Sequence, residues 1–250
     1  MFRHLRGLLA VIPLLLLTSC DGDKDKDNDK LKVGVCADYP PFEYYRDGVL
    51  SGFDVDIAKI VAEKLGKTAE FSDMAFSSIL VEVKNGTIDA AVSSIGATDE
   101  RKENYDFTTP YYKSGLSIIY KNDSPISDVD QLSNKKVACQ LGSIPEKWLK
   151  AKNLKTEIVS IDNVNQAVES LKSGHVDYVL VDNAIAIEYC STNNDLGSVV
   201  VVESIEGSEG FSVALKKGSP LKEQIDKILA ELEANGELHN LKKKWKLVNE

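Results

Sequence analysis

The chain has 250 residues, of which 43% are hydrophobic and 28% are charged, so it can bury one or two sizeable cores and is neither a disordered tail nor a small disulfide scaffold. Its formal net charge of −9 argues against a reader of duplex nucleic acid, which needs a clustered basic face to displace counterions from phosphates. Length allows one domain or two lobes, and composition alone does not choose between them.

Residues 1–19 have the features of an export signal. Arg3 and Arg6 form a short basic region, the apolar run 7–17 follows, and small residues precede Cys20. An apolar run this short does not reach across the roughly 30 Å hydrocarbon core of a bilayer, so a spanning helix is the weaker interpretation. Residues 17–20 resemble a bacterial lipobox. We therefore expect a lipoprotein that is lipidated on Cys20, with plain secretion as the alternative.

A flexible acidic tether is predicted to follow, over residues 20–30. Residues 21–30 carry no apolar side chain and so cannot offset the entropy lost on ordering. Once Cys20 is lipidated, Cys36, Cys139 and Cys190 remain, so at most one disulfide can form and at least one thiol stays free. No cysteine spacing typical of a metal site is present, and we expect neither a metal nor another cofactor.

An internal repeat organises the chain from Leu31 onward. Two short apolar runs, 32–36 and 136–140, lie 104 residues apart, and each is predicted to form an opening strand. Helical periodicity, a glycine and a continuous apolar run occur in this order over 79–92 and again over 167–180. This pattern is typical of a helix, a left-handed cap and a strand buried on both faces. The sequence therefore predicts two α/β lobes.

Helix signals between these units place the remaining elements. Asp54 is predicted to cap a helix that stops at Gly66, and 221–245 is predicted to form one or two amphipathic helices interrupted at 235–236. Ligands of open parallel sheets sit beyond the carboxyl ends of the strands. We therefore expect four strand tips to face one cleft, namely those after Cys36, Val92, Gln140 and Leu180.

Polar side chains near these tips suggest the chemistry of the cleft. Arg101 follows a predicted N-cap at Thr98 and can point a planar donor fork at a carboxylate, although a surface arginine paired with Glu103 or Asp106 is the simpler structural interpretation. Asp182 ends a lobe-two strand, where it can cap the next helix, meet a ligand, or do both.

The loop 142–145 leads into a second helix with Pro145 in its first turn, so free backbone N–H groups there can bind an anion. Tyr39 and Phe76 are candidates for the aromatic walls of a pocket, with simple core packing as the alternative.

Several motifs occur in one order along the chain, at 39–44, 52–56, 88–91 with 98–101, 111–112 and 244–245. Together they resemble the family 3 solute-binding proteins of bacterial ABC amino-acid importers, over residues 31 to about 247. The resemblance implies an α/β, two-lobed periplasmic-binding-protein fold of the Venus-flytrap type II class, with two crossover hinge strands. Lobe one is then expected over 31–113 and 207–250, and lobe two over 117–203.

The resemblance also implies a binding site for a free L-amino acid. Arg101 matches the arginine that clamps the ligand α-carboxylate, and Asp182 matches the aspartate that pairs with the α-ammonium. Ser93 and Ser94 match a ligand-contacting pair at a strand tip. Tyr39 and Phe76 match the aromatic pair that sandwiches the ligand side chain, and Ser143 and Ile144 match the lobe-two loop that binds the carboxylate. Three further residues at strand tips complete the predicted site: Cys36, Gly96 and Gln140.

Three positions depart from the family pattern. Gly96 stands where the family often has serine or threonine, Ile144 where it often has threonine, and Cys36 where several members have an acid. Two aromatic faces in an acidic protein favour arginine or lysine as the ligand. Because Cys36 supplies no acid at this position, glutamine, cystine or another polar amino acid remains an alternative ligand.

The expected partners are a membrane permease with its ATPase, for a monomeric binding protein held to the cell membrane by lipid and facing the periplasm or the extracellular side. Two alternatives remain. An enzyme like the cyclohexadienyl dehydratases needs a general acid in the cleft, whereas the processed chain has only His175 and His239, and Glu43 and Glu146 are interpreted as structural. The second alternative is an amino-acid sensor component.

Overall fold

A computed structural model gives the structure of the chain and describes residues 29–248. The predicted signal peptide, Cys20 and most of the tether lie outside these residues. The strands, numbered along the chain, are β1 (Lys30–Val35), β2 (Asp38–Tyr39), β3 (Glu43–Arg46), β4 (Val49–Ser51), β5 (Thr68–Asp73), β6 (Ala90–Ala91), β7 (Gly96–Thr98), β8 (Tyr105–Phe107), β9 (Leu116–Lys121), β10 (Lys136–Gln140), β11 (Glu157–Ile161), β12 (Tyr178–Asp182), β13 (Leu196–Val202), β14 (Ser208–Phe211) and β15 (Ala214–Lys216).

Helices separate many of these strands, and a short 3₁₀ helix spans Val129–Leu132. The α-helices are α1 (Phe53–Lys64), α2 (Phe76–Asn85), α3 (Asp99–Lys102), α4 (Ile144–Ala151), α5 (Val164–Lys172), α6 (Asn183–Thr192), α7 (Leu221–Ala234) and α8 (Glu237–Lys244). Within the described part of the chain, no helix combines the length and the apolar character needed to cross a bilayer.

Two five-stranded sheets form the framework, with the orders β5-β1-β6-β15-β8 and β11-β10-β12-β9-β13. In each sheet the first three strands are parallel and the last two are joined antiparallel. We call the part built on the first sheet lobe one and the part built on the second sheet lobe two. Because β1 and β10 hold equivalent positions, as do β6 and β12, the predicted repeat is confirmed.

The repeated helix–glycine–strand unit forms as predicted, with a shorter strand in lobe one. α2 ends at Gly86, which has a left-handed φ of 79°, and α5 is followed by Gly174 at a φ of 77°. β6 covers two residues instead of a run from 88 to 92. The flanking N–H groups of Asp89 and Val92 still donate to carbonyls of β1, so the segment runs alongside β1 beyond the ends of β6.

The predicted cap of α1 is wrong. α1 begins at Phe53 after Gly52, and Asp54 is fully buried inside its first turn. A Cβ at position 52 would lie 1.9 Å from the carbonyl oxygen of Phe42, so the residue before α1 must be glycine. Asp54 instead points inward and accepts hydrogen bonds from the Ser94 N–H at 2.6 Å and the Tyr111 hydroxyl at 2.8 Å.

The C-terminal helices form as predicted, and Asn235 and Gly236 separate α7 from α8. Lys244 and the Trp245 indole both donate to the Asp56 carboxylate, at 2.7 Å and 2.8 Å. These bonds connect the end of α8 to α1. The motif at 244–245 therefore has a structural role in lobe one.

The chain passes between the sheets twice, between β8 and β9 and again between β13 and β14. Gly115 lies on the first crossing, where a Cβ would be 2.0 Å from the Val202 carbonyl oxygen at the start of the second. The two crossings are therefore in close backbone contact. The lobe boundaries at 113, 117, 203 and 207 stay a prediction.

The cores lie between the sheets and the helices that cover them. In lobe one, apolar side chains of α1 and α2 are buried against the first sheet: Ile57, Val61, Ile79 and Val83. In lobe two the corresponding buried positions belong to α4 and α5: Leu149, Ala167, Val168 and Leu171. Because the helices pack on the sheets in this way, the strand tips of both lobes lie at one cavity.

Candidate functional site

One cavity lies between the lobes, at the strand tips where the sequence placed it. Its lining includes every predicted site residue except Cys36, and it also includes three residues that were not predicted as ligand contacts. The lining is Tyr39, Glu43, Phe76, Ser93, Ser94, Gly96, Arg101, Gln140, Ser143, Ile144, Pro145, Asp182 and Phe211. The structure thus assembles the predicted residues, while their roles toward a ligand stay predictions.

Arg101 is the cation of this cavity. The Thr98 hydroxyl accepts the Arg101 N–H and caps α3, as predicted. The side chain is only 6% exposed and lies over the Phe76 ring, 5.8 Å from its centroid. Nη1 donates to the Gly96 carbonyl at 2.8 Å and Nη2 to the lobe-two Gly142 carbonyl at 3.0 Å. The surface alternative is therefore wrong.

Burial lowers the pKa of Arg101 to about 10, so the guanidinium keeps its charge at neutral pH. Two of its five N–H donors meet the carbonyls of Gly96 and Gly142, which leaves further donors for a ligand. The arginine is held in one orientation from both lobes.

Asp182 enters the cavity from the opposite lobe, at the end of β12. It occupies the position before α6 but forms no side-chain cap. Instead its carboxylate accepts a 2.5 Å hydrogen bond from the Tyr39 hydroxyl of lobe one. Burial raises the pKa of Asp182 to about 6, although hydrogen bonds from Tyr39 and Ser114 and the charge of Arg101 favour the ionised form. At neutral pH the group is largely an anion.

Ser93 and Ser94 form the tip after β6 and hold a third ionisable group, Glu43. The Ser93 hydroxyl donates to one carboxylate oxygen of Glu43 at 2.9 Å, and the Ser94 hydroxyl donates to the other at 3.2 Å. Ser94 has a φ of 50°, which is uncommon for a residue with a side chain. In this conformation its N–H reaches the buried Asp54.

Glu43, interpreted from the sequence as structural, places its buried carboxyl in the cavity lining. Burial and the neighbouring charge of Asp54 raise the pKa of Glu43 well above its usual range. Burial likewise raises the pKa of Asp54, to about 6. Among residues 29–248, Glu43 forms no ion pair with a lysine or arginine. Its place directly after the aromatic turn at 39–42 was the sequence signal for it.

Glu146 keeps its structural interpretation. Its carboxylate accepts from the Gly142 N–H at 2.9 Å and from Lys150 at 2.8 Å, and it also bonds Ser160. Burial opposes ionisation, but these hydrogen bonds outweigh it and lower the pKa of Glu146. The group therefore fixes the loop that precedes α4.

This loop presents Ser143, Ile144 and Pro145 to the cavity. The Ser143 hydroxyl accepts the Glu146 N–H and caps α4, and Pro145 lies in the first turn as predicted. Binding of an anion by the backbone of this loop stays a prediction.

The departures at 96 and 144 form a single contact between the lobes. A Cβ at Gly96 would lie 2.3 Å from Cδ1 of Ile144 and 2.9 Å from the Ser208 hydroxyl oxygen. Ile144 therefore occupies the space that a side chain at 96 would need. The absence of a hydroxyl at 96 is coupled to the apolar side chain at 144.

Cys36 lies behind the cavity lining. Its thiol donates to the Asp38 carboxylate at 3.3 Å, and the amide of Gln140 lies 3.7 Å from the sulfur. Burial raises the pKa of this thiol well above its usual range. Cys36, Cys139 and Cys190 are all free thiols. Over residues 29–248, no group of three or more His, Cys, Asp or Glu side chains is placed to hold a metal ion.

Phe211 reaches the cavity from the return crossing. It pairs with Tyr112 in an isolated bridge and packs edge-on against Phe42, with ring centroids 5.2 Å apart. No local pattern signals this position, because its neighbours come from distant parts of the chain.

A cavity enclosed by two sheets, with two backbone crossings between them and opposite charges on opposite lobes, defines a two-lobed binding protein for a small polar solute. The sequence comparison specifies the family. Residues 31–248 match the bacterial extracellular solute-binding proteins, family 3. The chain belongs to this family, and the resemblance inferred from its motifs is confirmed.

Individual relatives are similar over nearly the whole chain. The arginine-binding extracellular protein ArtP of Bacillus subtilis (strain 168) is 35% identical over 252 residues, covering 98% of each chain. The L-cystine-binding protein TcyJ of Escherichia coli (strain K12) is 32% identical and covers 89% of this chain and 85% of its own. An ancestral arginine-binding protein solved with bound arginine is 37% identical, with a TM-score of 0.82 and coverage of 87% and 98%.

Proposed function

We propose that the protein binds a free L-amino acid with a cationic side chain, arginine foremost, and delivers it to an ABC importer. The observation that carries the proposal is the placement of Arg101 and Asp182 on opposite lobes of one cavity. A zwitterion matches this pair, with its carboxylate toward the guanidinium and its ammonium toward the carboxylate. The arginine-binding relatives support the same ligand class.

Glu43 is the proposed partner of the ligand side chain. After the zwitterion has matched Arg101 and Asp182, Glu43 is a further acid in the lining that has no cationic side chain as partner. A guanidinium satisfies a carboxylate with two parallel hydrogen bonds, which a neutral side chain cannot do with equal strength. In this proposal Glu43 replaces the acid that the family often places at position 36.

Closure follows from the division of charges between the lobes. Each charged group gains its ligand partner only when the lobes come together, so the ligand stabilises the closed state by its higher affinity for that state. A permease with its ATPase is the proposed reader of the closed shape. No covalent step is required.

Thermal unfolding with each of the twenty amino acids, ornithine and cystine tests the ligand class, because a bound ligand raises stability by mass action. We expect L-arginine to give the largest shift, followed by L-lysine or ornithine, and calorimetric titration to give a single site. A shift with glutamine or cystine and none with arginine contradicts the cationic ligand and leaves amino-acid binding intact. No shift with any of these compounds contradicts the whole proposal.

A second candidate, an enzyme like the cyclohexadienyl dehydratases, is favoured by one observation. Burial and the charge of Asp54 raise the pKa of Glu43 well above its usual range, and a raised pKa favours the protonated form that a general acid needs. Incubation with prephenate and with arogenate, followed by absorbance and mass analysis of products, separates the candidates. Turnover by the wild type that is lost in Glu43→Gln would establish the enzyme. No turnover by the wild type, together with tight arginine binding, would establish the binding protein.

The membrane attachment is proposed from the sequence. Cys20 is the proposed lipid site, and mass spectrometry of the processed N-terminus checks it, with Cys20→Ser as the variant that escapes lipidation.

A monomer is the proposed solution state. Stimulation of the ATPase of a reconstituted amino-acid permease checks the transport role against an amino-acid sensor role.

A further inference from the structure

Asp38 joins the two lobes at a buried position outside the cavity lining. It lies on β2 of lobe one, is 3% exposed, and is absent from the lining set out above. One oxygen of its carboxylate accepts a 2.6 Å hydrogen bond from the backbone N–H of Val164. The other accepts from the Gln140 amide at 3.4 Å. Both donors belong to lobe two.

The bond to Val164 completes the N-terminus of α5. The first N–H groups of a helix have no partner within the helix. Asn163, the N-cap of α5, accepts the N–H of Gln166, whereas the N–H of Val164 meets the carboxylate from lobe one. A carboxylate at this end is also favoured by the helix dipole. Lobe one thus supplies an anion that a lobe-two helix of nine residues binds.

The backbone of Asp38 is attached to lobe two as well. The Tyr189 hydroxyl of α6 lies 3.4 Å from the Asp38 carbonyl oxygen and 2.6 Å from the Asn165 side-chain oxygen. Two further contacts between the lobes outside the lining, Lys147 with Glu100 and Ser77 with Asp162, involve exposed groups, and exposed pairs contribute little. The buried bond of Asp38 is therefore the strong lobe-to-lobe contact outside the cavity lining.

We propose that Asp38 is a positioning residue that latches the lobes: by binding the N-terminus of α5 it stabilises the closed state and sets ligand affinity without touching the ligand. The inference rests on the two-lobed binding function but not on which amino acid is bound. Because the latch forms only on closure, its loss accelerates dissociation and leaves ligand selectivity unchanged.

The test removes the bond from either side. Asp38→Ala deletes the acceptor, and Val164→Pro deletes the donor at the first helical position, where proline is tolerated. Each is expected to weaken L-arginine binding about 10- to 100-fold, mainly through a faster dissociation rate. In the double variant the second change should add little. Asp177→Ala is the matched control, because Asp177 accepts the Lys136 N–H at 2.8 Å within lobe two.

Amide hydrogen exchange gives a readout that a purely structural role would not move. In the wild type, saturation with arginine should slow exchange of the Val164 N–H, and in Asp38→Ala this protection should be lost while β10 stays protected. If Asp38→Ala fails to fold, Asp38→Asn retains an acceptor without the charge and should give a smaller loss, about threefold to tenfold.

Equal dissociation rates in wild type and Asp38→Ala, or independent and additive losses in the double variant, would overturn the latch. So would a loss confined to arginine. Each measurement is repeated with every amino acid that stabilises the wild type, so a failure of arginine to bind the wild type counts against the proposed function and leaves this comparison in place.

Discussion

Lobe one and lobe two repeat one sheet arrangement, yet they contribute different chemistry to the cavity. Lobe one supplies a fixed network: Arg101 bonded to the Gly96 carbonyl, and Glu43 held by the hydroxyls of Ser93 and Ser94. Lobe two supplies one charged side chain, Asp182, beside an apolar cover formed by Ile144 and Pro145. The same scaffold therefore carries a recognition surface on one side and a closing surface on the other.

This difference separates the choice of a ligand from the strength with which the ligand is held. In the proposed site, Glu43 is bonded by lobe one alone, through Ser93 and Ser94, so it can distinguish ligand side chains without lobe two, whereas Arg101 is held by carbonyls of both lobes. Asp182 and Ile144 line the cavity from lobe two, so in the proposed site they act, once the lobes close, on how tightly any accepted ligand is held. Substitutions in the two lobes should accordingly differ in kind.

The largest effect is expected at Arg101. Removing one partner of a desolvated charge pair leaves the other uncompensated, so Arg101→Ala should weaken binding by about 2–5 kcal/mol, or roughly 30- to 5,000-fold. Arg101→Lys should restore little, since an ammonium lacks the two-pronged geometry of the guanidinium. Calorimetry with circular dichroism as a folding check measures this. Binding within about threefold of wild type in folded Arg101→Ala would place the carboxylate elsewhere.

Glu43→Gln should change selectivity more than overall binding. Loss of the charged acceptor should weaken arginine about 10- to 100-fold while leaving glutamine within about threefold. Because the pKa of Glu43 is raised well above its usual range, arginine binding should also release a proton, measurable by calorimetry in buffers of different ionisation enthalpy. Glu223→Gln, at an exposed carboxylate paired with Lys227 outside the lining, is the control. Equal losses for both ligands would show that Glu43 does not contact the side chain.

Through Asp182, lobe two should make ligand affinity fall at acidic pH. The ligand ammonium needs the ionised form of Asp182, whose pKa is raised to about 6. For a ligand such as glutamine, which does not need ionised Glu43, affinity should therefore be full above about pH 7 and fall as the pH drops through 6, by about tenfold at pH 5. Asp182→Asn should bind more weakly at pH 7 and lose this dependence near pH 6. Titrations from pH 5 to 8 test it, and an unchanged profile in Asp182→Asn would assign the limit to another group.

The smallest effect is expected where the two lobes touch at Gly96 and Ile144. Gly96→Ala places a methyl group against Ile144, and because the contacting atom is the end of a flexible side chain, we expect a loss of about fivefold to tenfold, near the lower limit of overpacking penalties. Ile144→Val should recover most of it in the double variant. Additive losses would mean that the two residues do not meet in the closed state.

The sequence was most informative where function follows from position in an element. Arg101 and Asp182 were found because one follows a capping threonine and the other ends a buried strand, and the rule that parallel strands point their carboxyl ends at one edge brought them together. The doubled helix–glycine–strand pattern predicted the two sheets for the same reason. The positions of these residues follow from local spacing, whereas their ligand roles are implied by the family resemblance.

Features that depend on distant segments were missed. Asp54 has the residue type and spacing of a cap, but the approach of Phe42 to Gly52 turns it inward. Phe211 enters the cavity from the return crossing, and the contact of Ile144 with Gly96 joins separate lobes, so neither leaves a periodic signal. Glu43 was present in a recognised motif, yet only its burial and hydrogen bonds reveal a cavity-lining acid.

Gly115 has a mechanical consequence. Its backbone lies so close to the Val202 carbonyl that no side chain fits between them. Because the two crossings are in direct backbone contact at this point, neither can bend there without displacing the other. A change in the angle between the lobes therefore has to alter the backbone of both crossings together. A solute that favours the closed arrangement is thereby coupled to the conformation of both crossings at once.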